Sequence, residues 1–261
     1  YKLKFLLSFH LFLYFKVIIM FISYFKLFSV LSILSNIYSL DISLNTTGPS
    51  TIGIWWWTWS SYTAPPSGTN CGVAFSGWTD PYKALQDSSG IKNRLPGRKY
   101  ISLGGGNSNG RFSYNDLMNI QNAIYSGAFS GYDGIVFDIE EGDSGLSSAF
   151  ASCFRAARSK GFYVLVTISH SAPYGIPDAA SLMRSFFPNS DINYLSPQLY
   201  SSGYENYNQY DTIAGVQWYE YASAKAVVIP SIVTGSLYSS AESYFRSQGV
   251  TIQGYVQWSQ T

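Results

Sequence analysis

Eight short apolar segments alternate with segments of helical periodicity between about residue 50 and residue 261, and this alternation predicts an α/β fold. Eight such repeats favour a single closed (β/α)8 barrel, the TIM barrel. The strand segments are also continuous runs of β-branched and aromatic residues, as expected of strands buried on both faces. The alternative is an open doubly wound sheet, but Ser102-Leu103-Gly104-Gly105-Gly106 is neither a GxGxxG nor a Walker sequence.

The individual elements follow from local signals along the chain. Strands are predicted over residues 51–57, 72–78, 99–103, the first part of 133–143, 163–169, 194–200, 226–232 and 252–258. Helices are predicted over residues 81–88, 114–125, 146–159, 177–187, around 210–223, and over 241–248. In the second of these helices Leu117, Ile120 and Ile124 have the spacing of one buried face. Pro177-Asp178 is a typical helix start.

The fourth strand carries two carboxylates in an otherwise apolar run. Residues two apart in a strand share a face, so Val136, Asp138 and Glu140 are predicted to point the same way. Two neighbouring carboxyl groups in an apolar setting make each other's ionisation harder, which separates one ionised acid from one that keeps its proton. The simpler alternative is a strand end at which both acids reach solvent.

Other polar or aromatic residues also fall where predicted strands end. They are Ser169 and His170 after the fifth strand, Gln198 and Tyr200 at the end of the sixth, and Trp258 at the end of the eighth. Functional groups of a (β/α)8 barrel lie at the carboxyl ends of its strands. The sequence therefore predicts one site at that end of the barrel.

Composition narrows the possible partners. The 261 residues carry a formal net charge of +1 without basic runs, which disfavours nucleic acid. Charged residues make up only 12% and aromatic residues 18%, with 22 Tyr and 7 Trp. This composition suits a secreted protein that binds sugars, because aromatic faces pack on the apolar faces of pyranose rings. An aromatic-rich core is the alternative explanation.

The first 39 residues are interpreted as an upstream segment and a signal peptide, with Met20 as the expected true start and cleavage before Leu40. The alternative is a membrane anchor over residues 5–34, although two lysines interrupt that run. Asn45-Thr46-Thr47 is a glycosylation sequon, in keeping with secretion.

The chain has few residues that could bind a metal ion or take part in thiol chemistry. Cys71 and Cys153 either form one disulfide or remain two buried thiols. His10 and His170 are the only histidines, and neither CxxC nor HExxH occurs. A zinc site or a Ser-His-Asp triad is therefore not expected.

Taken together, these motifs resemble glycoside hydrolase family 18, and within it the hevamine-like plant class III chitinases. The family signature D-x-x-D-x-D-x-E is matched by Asp133, Asp138 and Glu140. Residues 102–106 resemble the SxGG motif, and residues 197–200 resemble the Gln-x-Tyr element. Trp258-Ser259 and Phe75 resemble the family's closing Trp-Ser and its second-strand aromatic residue. The resemblance covers residues 50–261 and identifies residues 40–261 as the catalytic domain.

The resemblance implies a secreted, monomeric, endo-acting chitinase that retains the anomeric configuration. Glu140 would be the general acid, Asp138 would orient the substrate's 2-acetamido nucleophile, and Tyr200 would donate a hydrogen bond to it. The remaining implied substrate contacts are Gln198, Trp258, Phe75 and Gly104. The expected partners are chitin or N-acetylglucosamine oligosaccharides, and the mechanism needs neither a metal nor an organic cofactor.

One position departs from the family pattern. The middle aspartate of the signature is Val136 in this chain. In the family that aspartate shares a proton with the residue corresponding to Asp138, so its loss predicts weakened or pH-shifted catalysis. A glycan-binding chitinase-like lectin and an endo-β-N-acetylglucosaminidase are the alternatives that the sequence leaves open.

Overall fold

The structure is a computed structural model that describes residues 48–61 and 64–260. Within these residues, parallel strands form a closed barrel in the order β5-β4-β3-β2-β1-β9-β8-β6-β7, and pairing of β5 with β6 closes the ring. The strands are β1 Thr51–Trp57, β2 Cys71–Phe75, β3 Arg98–Gly104, β4 Gly134–Ile139, β5 Tyr163–Ser169, β6 Tyr194–Gln198, β7 Val227–Val228, β8 Ser231–Ile232 and β9 Gly254–Gln257. Since β7 and β8 share one position beside β6, the barrel has eight positions, which confirms the predicted (β/α)8 fold.

Helices cover the outside of the barrel. They are α1 Pro81–Ser88, α2 Tyr114–Tyr125, α3 Ser147–Ser159, α4 Ala179–Phe186 and α5 Tyr238–Ser247, with short 3-10 turns at Lys92–Arg94, Trp218–Ser223 and Gly235–Leu237. None of the helices in the described part of the chain is long and apolar enough to cross a membrane. The predicted signal peptide, Met20 and the sequon at Asn45 lie outside the described residues.

Two predicted elements differ from the structure in more than their end points. The predicted strand over 226–232 is split at Ile229-Pro230, because proline has no N–H to donate to a strand ladder. The predicted helix around 210–223 is wrong except for the 3-10 turn at Trp218–Ser223. Side-chain anchors hold that segment, with Trp218 Nε1 donating to the Tyr210 carbonyl at 2.7 Å.

The two faces of β4 pack into separate cores. Ile135, Phe137 and Ile139 face the helices, where Phe137 packs edge-on against Phe154 of α3 at 4.9 Å between ring centroids. Val136 faces the barrel interior with apolar side chains from neighbouring strands. The predicted alternation along this strand is therefore confirmed, and it directs the acids of the same strand toward the barrel axis.

The two cysteines lie in different cores and are unpaired. Cys71 is in the barrel interior, and Cys153 is on α3, where its thiol donates to the Leu117 carbonyl of α2 at 3.1 Å. Burial raises the pKa of each thiol to about 12. Of the two alternatives left open by the sequence, the structure has two buried thiols.

Gly104 ends β3 at a point of close backbone approach. Its φ is +98°, and a Cβ there would overlap the carbonyl oxygen of Asp138 and the ring of Phe112. The glycine thus allows β3 to lie against the end of β4. It is buried and contributes no side chain to the barrel mouth.

We expect Gly104→Ala to destabilise the fold more than Gly127→Ala. Gly127 has a similar φ of +78° with no atom near the added methyl group, so it controls for backbone strain. That strain costs about 1–2 kcal/mol, and overlap at Gly104 adds about 1–3 kcal/mol to the loss of unfolding free energy. Urea denaturation of both variants measures the difference, and equal losses would contradict the close approach.

Candidate active site

Two carboxyl groups and one amide meet at the carboxyl end of the barrel. Asp138, on β4, is 1% exposed, and Glu140 follows the strand on the same face. Gln198 reaches both acids from the end of β6. Its Nε2 donates to Asp138 Oδ1 at 3.1 Å and to Glu140 Oε1 at 3.4 Å. The structure thus brings these three sequence-predicted residues together.

The surroundings raise the pKa of both acids. Burial raises the pKa of Asp138 well above its usual range, and the charge of Glu140 adds to this, while the Gln198 hydrogen bond acts in the opposite direction. Burial likewise raises the pKa of Glu140. Hydrogen bonds from Gln198 and the Gly106 backbone lower it, whereas the charge of Glu141 raises it. A buried pair of this kind holds a proton at higher pH than isolated carboxylic acids do.

Backbone hydrogen bonds fix the position of Glu140. Gly175 N–H donates to the Glu140 carbonyl at 2.8 Å, and Phe112 N–H donates to the Glu141 carbonyl at 3.0 Å. Gly106 lies over the carboxyl group, so that a Cβ there would come within 2.8 Å of Glu140 Oε2. The main chain at Glu140 is thus tied to two neighbouring loops, one of which also lies against its carboxyl group.

The acids that follow Glu140 have other partners. Glu141 accepts a hydrogen bond from the Tyr174 hydroxyl at 2.9 Å. Asp143 pairs with Arg111 at 2.9 Å, and both side chains are about half exposed. Asp133, the first signature residue, accepts from the Lys99 backbone N–H at 2.8 Å at the opposite end of β4. These three acids therefore lie outside the pair held by Gln198.

An aromatic wall stands beside the acids. The Trp258 ring stacks with Tyr200 at 5.7 Å and contacts Phe75 edge-on at 5.5 Å between centroids. The Tyr200 hydroxyl lies 3.0 Å from Ser231 Oγ, which also accepts from Trp55 Nε1 at 2.9 Å. Ser231 Oγ has one hydrogen, and the Val256 carbonyl at 3.3 Å is a second acceptor for it. The Tyr200 hydroxyl hydrogen is available for a ligand when Ser231 donates to Tyr200 rather than to Val256.

These groups surround a cleft of about 550 Å³, here named the acid cleft, which is lined by Phe75, Gly106, Asn107, Glu140, Ser169, His170, Tyr174, Gln198, Tyr200, Ser201, Ser202, Ile213 and Trp258. Five of the seven sequence-predicted site residues line it. Asp138 is buried among them and bonds to Gln198. Gly104 is not in the lining, and Gly106 and Asn107 take the place expected of it.

Some residues that line the acid cleft are not predicted by the sequence. Asn107 and Tyr174 belong to loops after β3 and β5. Their place in the chain, soon after a strand end, was the available signal. His170, which follows the predicted fifth strand, lies in the lining with its Nε2 3.2 Å from Ser201 Oγ. Burial lowers its pKa, against the opposing charges of Asp211 and Glu205.

Metal ligands do not gather at this site. Among the described residues, no three His, Cys, Asp or Glu side chains lie close enough together to hold a metal ion.

Comparison with known proteins supports the fold. No protein-family model matches the chain, and no curated protein matches its sequence. Active domain 2 of a chitinase from Pyrococcus furiosus is similar in structure, with a TM-score of 0.50 and 10% identity over 81% of this chain and 84% of that domain. At this identity the similarity establishes a shared barrel fold.

Two other solved structures are more distant. The spore cortex-lytic enzyme SleL of Bacillus megaterium QM B1551 has a TM-score of 0.42 and 12% identity over 72% of this chain, which spans 51% of its length. The 3-dehydroquinate dehydratase of Aquifex aeolicus VF5 has a TM-score of 0.39 and 8% identity, over 80% of this chain and 94% of that enzyme.

We expect Gln198→Met to raise the apparent pKa values of the acid pair. The Gln198 amide favours the charged form of both acids, so an isosteric side chain without donors leaves the neutral forms favoured. An NMR titration of the carboxyl carbons measures the shift. Gln253→Met, at an exposed position before β9, is the control and should leave both values unchanged. An unchanged titration in Gln198→Met would contradict the role of the amide.

Proposed function

We propose that this barrel is a glycoside hydrolase of the family 18 type, a secreted, monomeric chitinase that cleaves β-linked N-acetylglucosamine polymers. One observation carries the proposal: two carboxyl groups with raised pKa values, bridged by Gln198, lie beside an aromatic wall. Glycosidic bond cleavage needs an acid that keeps its proton, and it is helped by a surface that can stack on a pyranose ring. The signal peptide ending before Leu40 is part of the same proposal.

The charge of the acid cleft supports a neutral substrate. The described residues that line it include no lysine or arginine. A phosphorylated or uronic acid substrate would meet Glu140 without a compensating cation. Schiff-base chemistry, which other barrel enzymes could use, needs a lysine at the site. Neutral glycan hydrolysis requires neither of these groups.

In the proposed reaction Glu140 gives its proton to the glycosidic oxygen, which leaves with the electron pair of the broken bond. The carbonyl oxygen of the substrate's 2-acetamido group forms the new bond to the anomeric carbon. Asp138 accepts the acetamide N–H and stabilises the cationic intermediate. Water then attacks the anomeric carbon and gives a proton to Glu140, while the bond from that carbon to the acetamide oxygen breaks and its electron pair returns to the acetamide. The two displacements together retain the configuration. Tyr200 donates to the acetamide, and Trp258 supports the sugar ring.

A chitinase-like lectin is the second candidate, and Val136 favours it. This side chain is fully buried among apolar neighbours, so Asp138 has no carboxyl partner below it. Among the described residues, the side chain of Asp138 accepts its hydrogen bond from Gln198. If orientation of the acetamide needs a second partner for Asp138, binding would persist while turnover falls.

We expect Glu140→Gln to reduce hydrolysis of N-acetylglucosamine oligomers at least about 100-fold, because it removes the transferable proton while preserving shape. Asp143→Asn is the matched control, an exposed acid paired with Arg111, and it should retain activity. Reducing-end release measures the rate, and NMR of the first product gives its anomeric configuration.

Each possible result has a distinct meaning. Inversion of configuration, or full activity in Glu140→Gln, would overturn the mechanism. Binding without turnover in the unaltered protein would favour the lectin, and recovery of turnover in Val136→Asp would assign the deficit to that position. Cleavage of N-glycan cores without action on chitin oligomers would indicate an endo-β-N-acetylglucosaminidase.

A further inference from the structure

A second cavity opens at the amino end of the barrel, where the strands begin. It has a volume of about 300 Å³ and is here named the basal cavity; its lining includes Cys71, Arg98, Tyr100, Leu165, Tyr194 and Ile229. It shares no lining residue with the acid cleft. The chemistry of a (β/α)8 barrel is carried at the carboxyl ends of its strands, so the basal cavity is not part of the candidate active site.

The cation of the basal cavity has no acidic partner. Arg98 is the first residue of β3, and its guanidinium group lies over the Tyr163 ring at 4.4 Å from the centroid. The Tyr194 hydroxyl is close enough to accept a hydrogen bond from it. Ion pairs among the described residues involve four other arginines. Since a guanidinium has five N–H donors, Arg98 keeps both its charge and free donors for a ligand.

A buried hydroxyl lines the same cavity. Tyr100 is 2% exposed, and its hydroxyl makes no hydrogen bond with any described residue. The charge of Arg98 acts on the pKa values of Tyr100 and Cys71, so both groups lie within electrostatic reach of the guanidinium. Burial raises the pKa of Tyr100, which therefore keeps its hydrogen at neutral pH. Because a buried hydroxyl without a partner is costly, its acceptor has to come from the cavity.

The main chain around the basal cavity carries an excess of positive charge. The segments that lead into β3 to β7 contain seven lysines and arginines but two acids, Asp133 and Asp191, within residues 89–99, 126–133, 158–163, 187–194 and 224–227. Asp133 accepts from the Lys99 N–H at 2.8 Å, and Asp191 lies 4.0 Å from Arg155. This end of the barrel therefore attracts anions, in contrast to the acid cleft.

The inner wall of the basal cavity is apolar. Leu165 and Ile229 belong to the core of the barrel interior and are buried. Cys71 lies with them, and burial raises the pKa of its thiol to about 12, so it is neutral. The cavity thus combines a cation and hydroxyls with an apolar wall. That combination suits a ligand with an anionic head and a short apolar body.

We propose that the basal cavity binds a small organic carboxylate. Arg98 pairs with the carboxylate, since a guanidinium can donate to both of its oxygens. The hydroxyls of Tyr100 and Tyr194 donate to the same group, and the apolar body of the ligand lies against Leu165 and Ile229. The inference does not rest on the proposed function, because the two sites are at opposite ends of the barrel.

The test is an NMR titration with benzoate at pH 7 and constant ionic strength, with the methyl groups of leucine and isoleucine labelled. The signals of Leu165 and Ile229 should shift and saturate. Arg98→Gln should weaken binding at least about tenfold, because the charge-assisted hydrogen bonds are lost. Arg94→Gln is the matched control and should bind as the parent does. Arg94 is an exposed arginine of the same segment that lies over the Trp56 ring at 5.4 Å, outside the cavity lining.

Three further probes separate charge from shape. Benzamide has the ring without the charge, whereas acetate and inorganic phosphate have charge without the ring. Each should bind at least about tenfold more weakly than benzoate. Tyr100→Phe keeps the aromatic ring, removes the hydroxyl and should weaken benzoate binding several-fold. Urea midpoints verify that each variant is folded, and Tyr100→Phe serves as the test if Arg98→Gln is not.

Several results would overturn the inference. They are the absence of saturable shifts at Leu165 and Ile229, unchanged affinity in Arg98→Gln and Tyr100→Phe, and binding of benzamide or phosphate as tight as that of benzoate. Shifts confined to Ile213, which lines the acid cleft, would place benzoate there and would also overturn it. All of these results leave the proposed function standing, because they do not involve Glu140.

Discussion

The amide of Gln198 is the interaction on which the candidate site depends. Two carboxyl groups on one strand face repel each other in a buried setting, and neither has a cation beside it among the described residues that line the acid cleft. A neutral donor that reaches both acids from another strand allows them to remain close without full ionisation of the pair. Closure of the barrel makes this possible, because β4 and β6 both pair with β5 and direct their ends to the same axis.

The close approach of main chain is the second constraint. Gly104 lets the end of β3 contact β4, and Gly106 covers the carboxyl group of Glu140. Both glycines are needed for the space that they leave, and neither offers a side chain to a ligand. The glycine-rich segment therefore shapes the acid cleft through its main chain. The side chains of the site come from the ends of β4, β6 and β9.

The sequence predicted the parts of this arrangement that depend on local periodicity. The alternation along β4 correctly predicted that Val136 faces the barrel interior and Phe137 the helices. The predicted start of α1 at Pro81 is also correct. The loop after β6 could not be predicted, because its anchors join residues far apart, such as the Tyr221 hydroxyl and the Ser171 carbonyl at 3.0 Å. The contact of Tyr174 with Glu141 was hidden for the same reason. Gly104 was assigned to ligand contact because a glycine motif alone does not distinguish a nearby ligand from nearby backbone.

The carboxylate of Glu205 stays ionised to a lower pH than an isolated glutamate does. Partial burial raises its pKa, but hydrogen bonds from the backbone of Ser201, Ser202 and Glu205 and from the Ser202 hydroxyl outweigh this effect and bring the pKa down to about 2. Its contribution to stability is complete above the ordinary pKa of 4.5 and is lost only as the pH falls through about 2. The acid pair, whose pKa values are raised, becomes fully protonated well before that point. Between these pH values both acids are protonated, while the carboxylate of Glu205 still accepts hydrogen bonds from the loop that packs on Trp258.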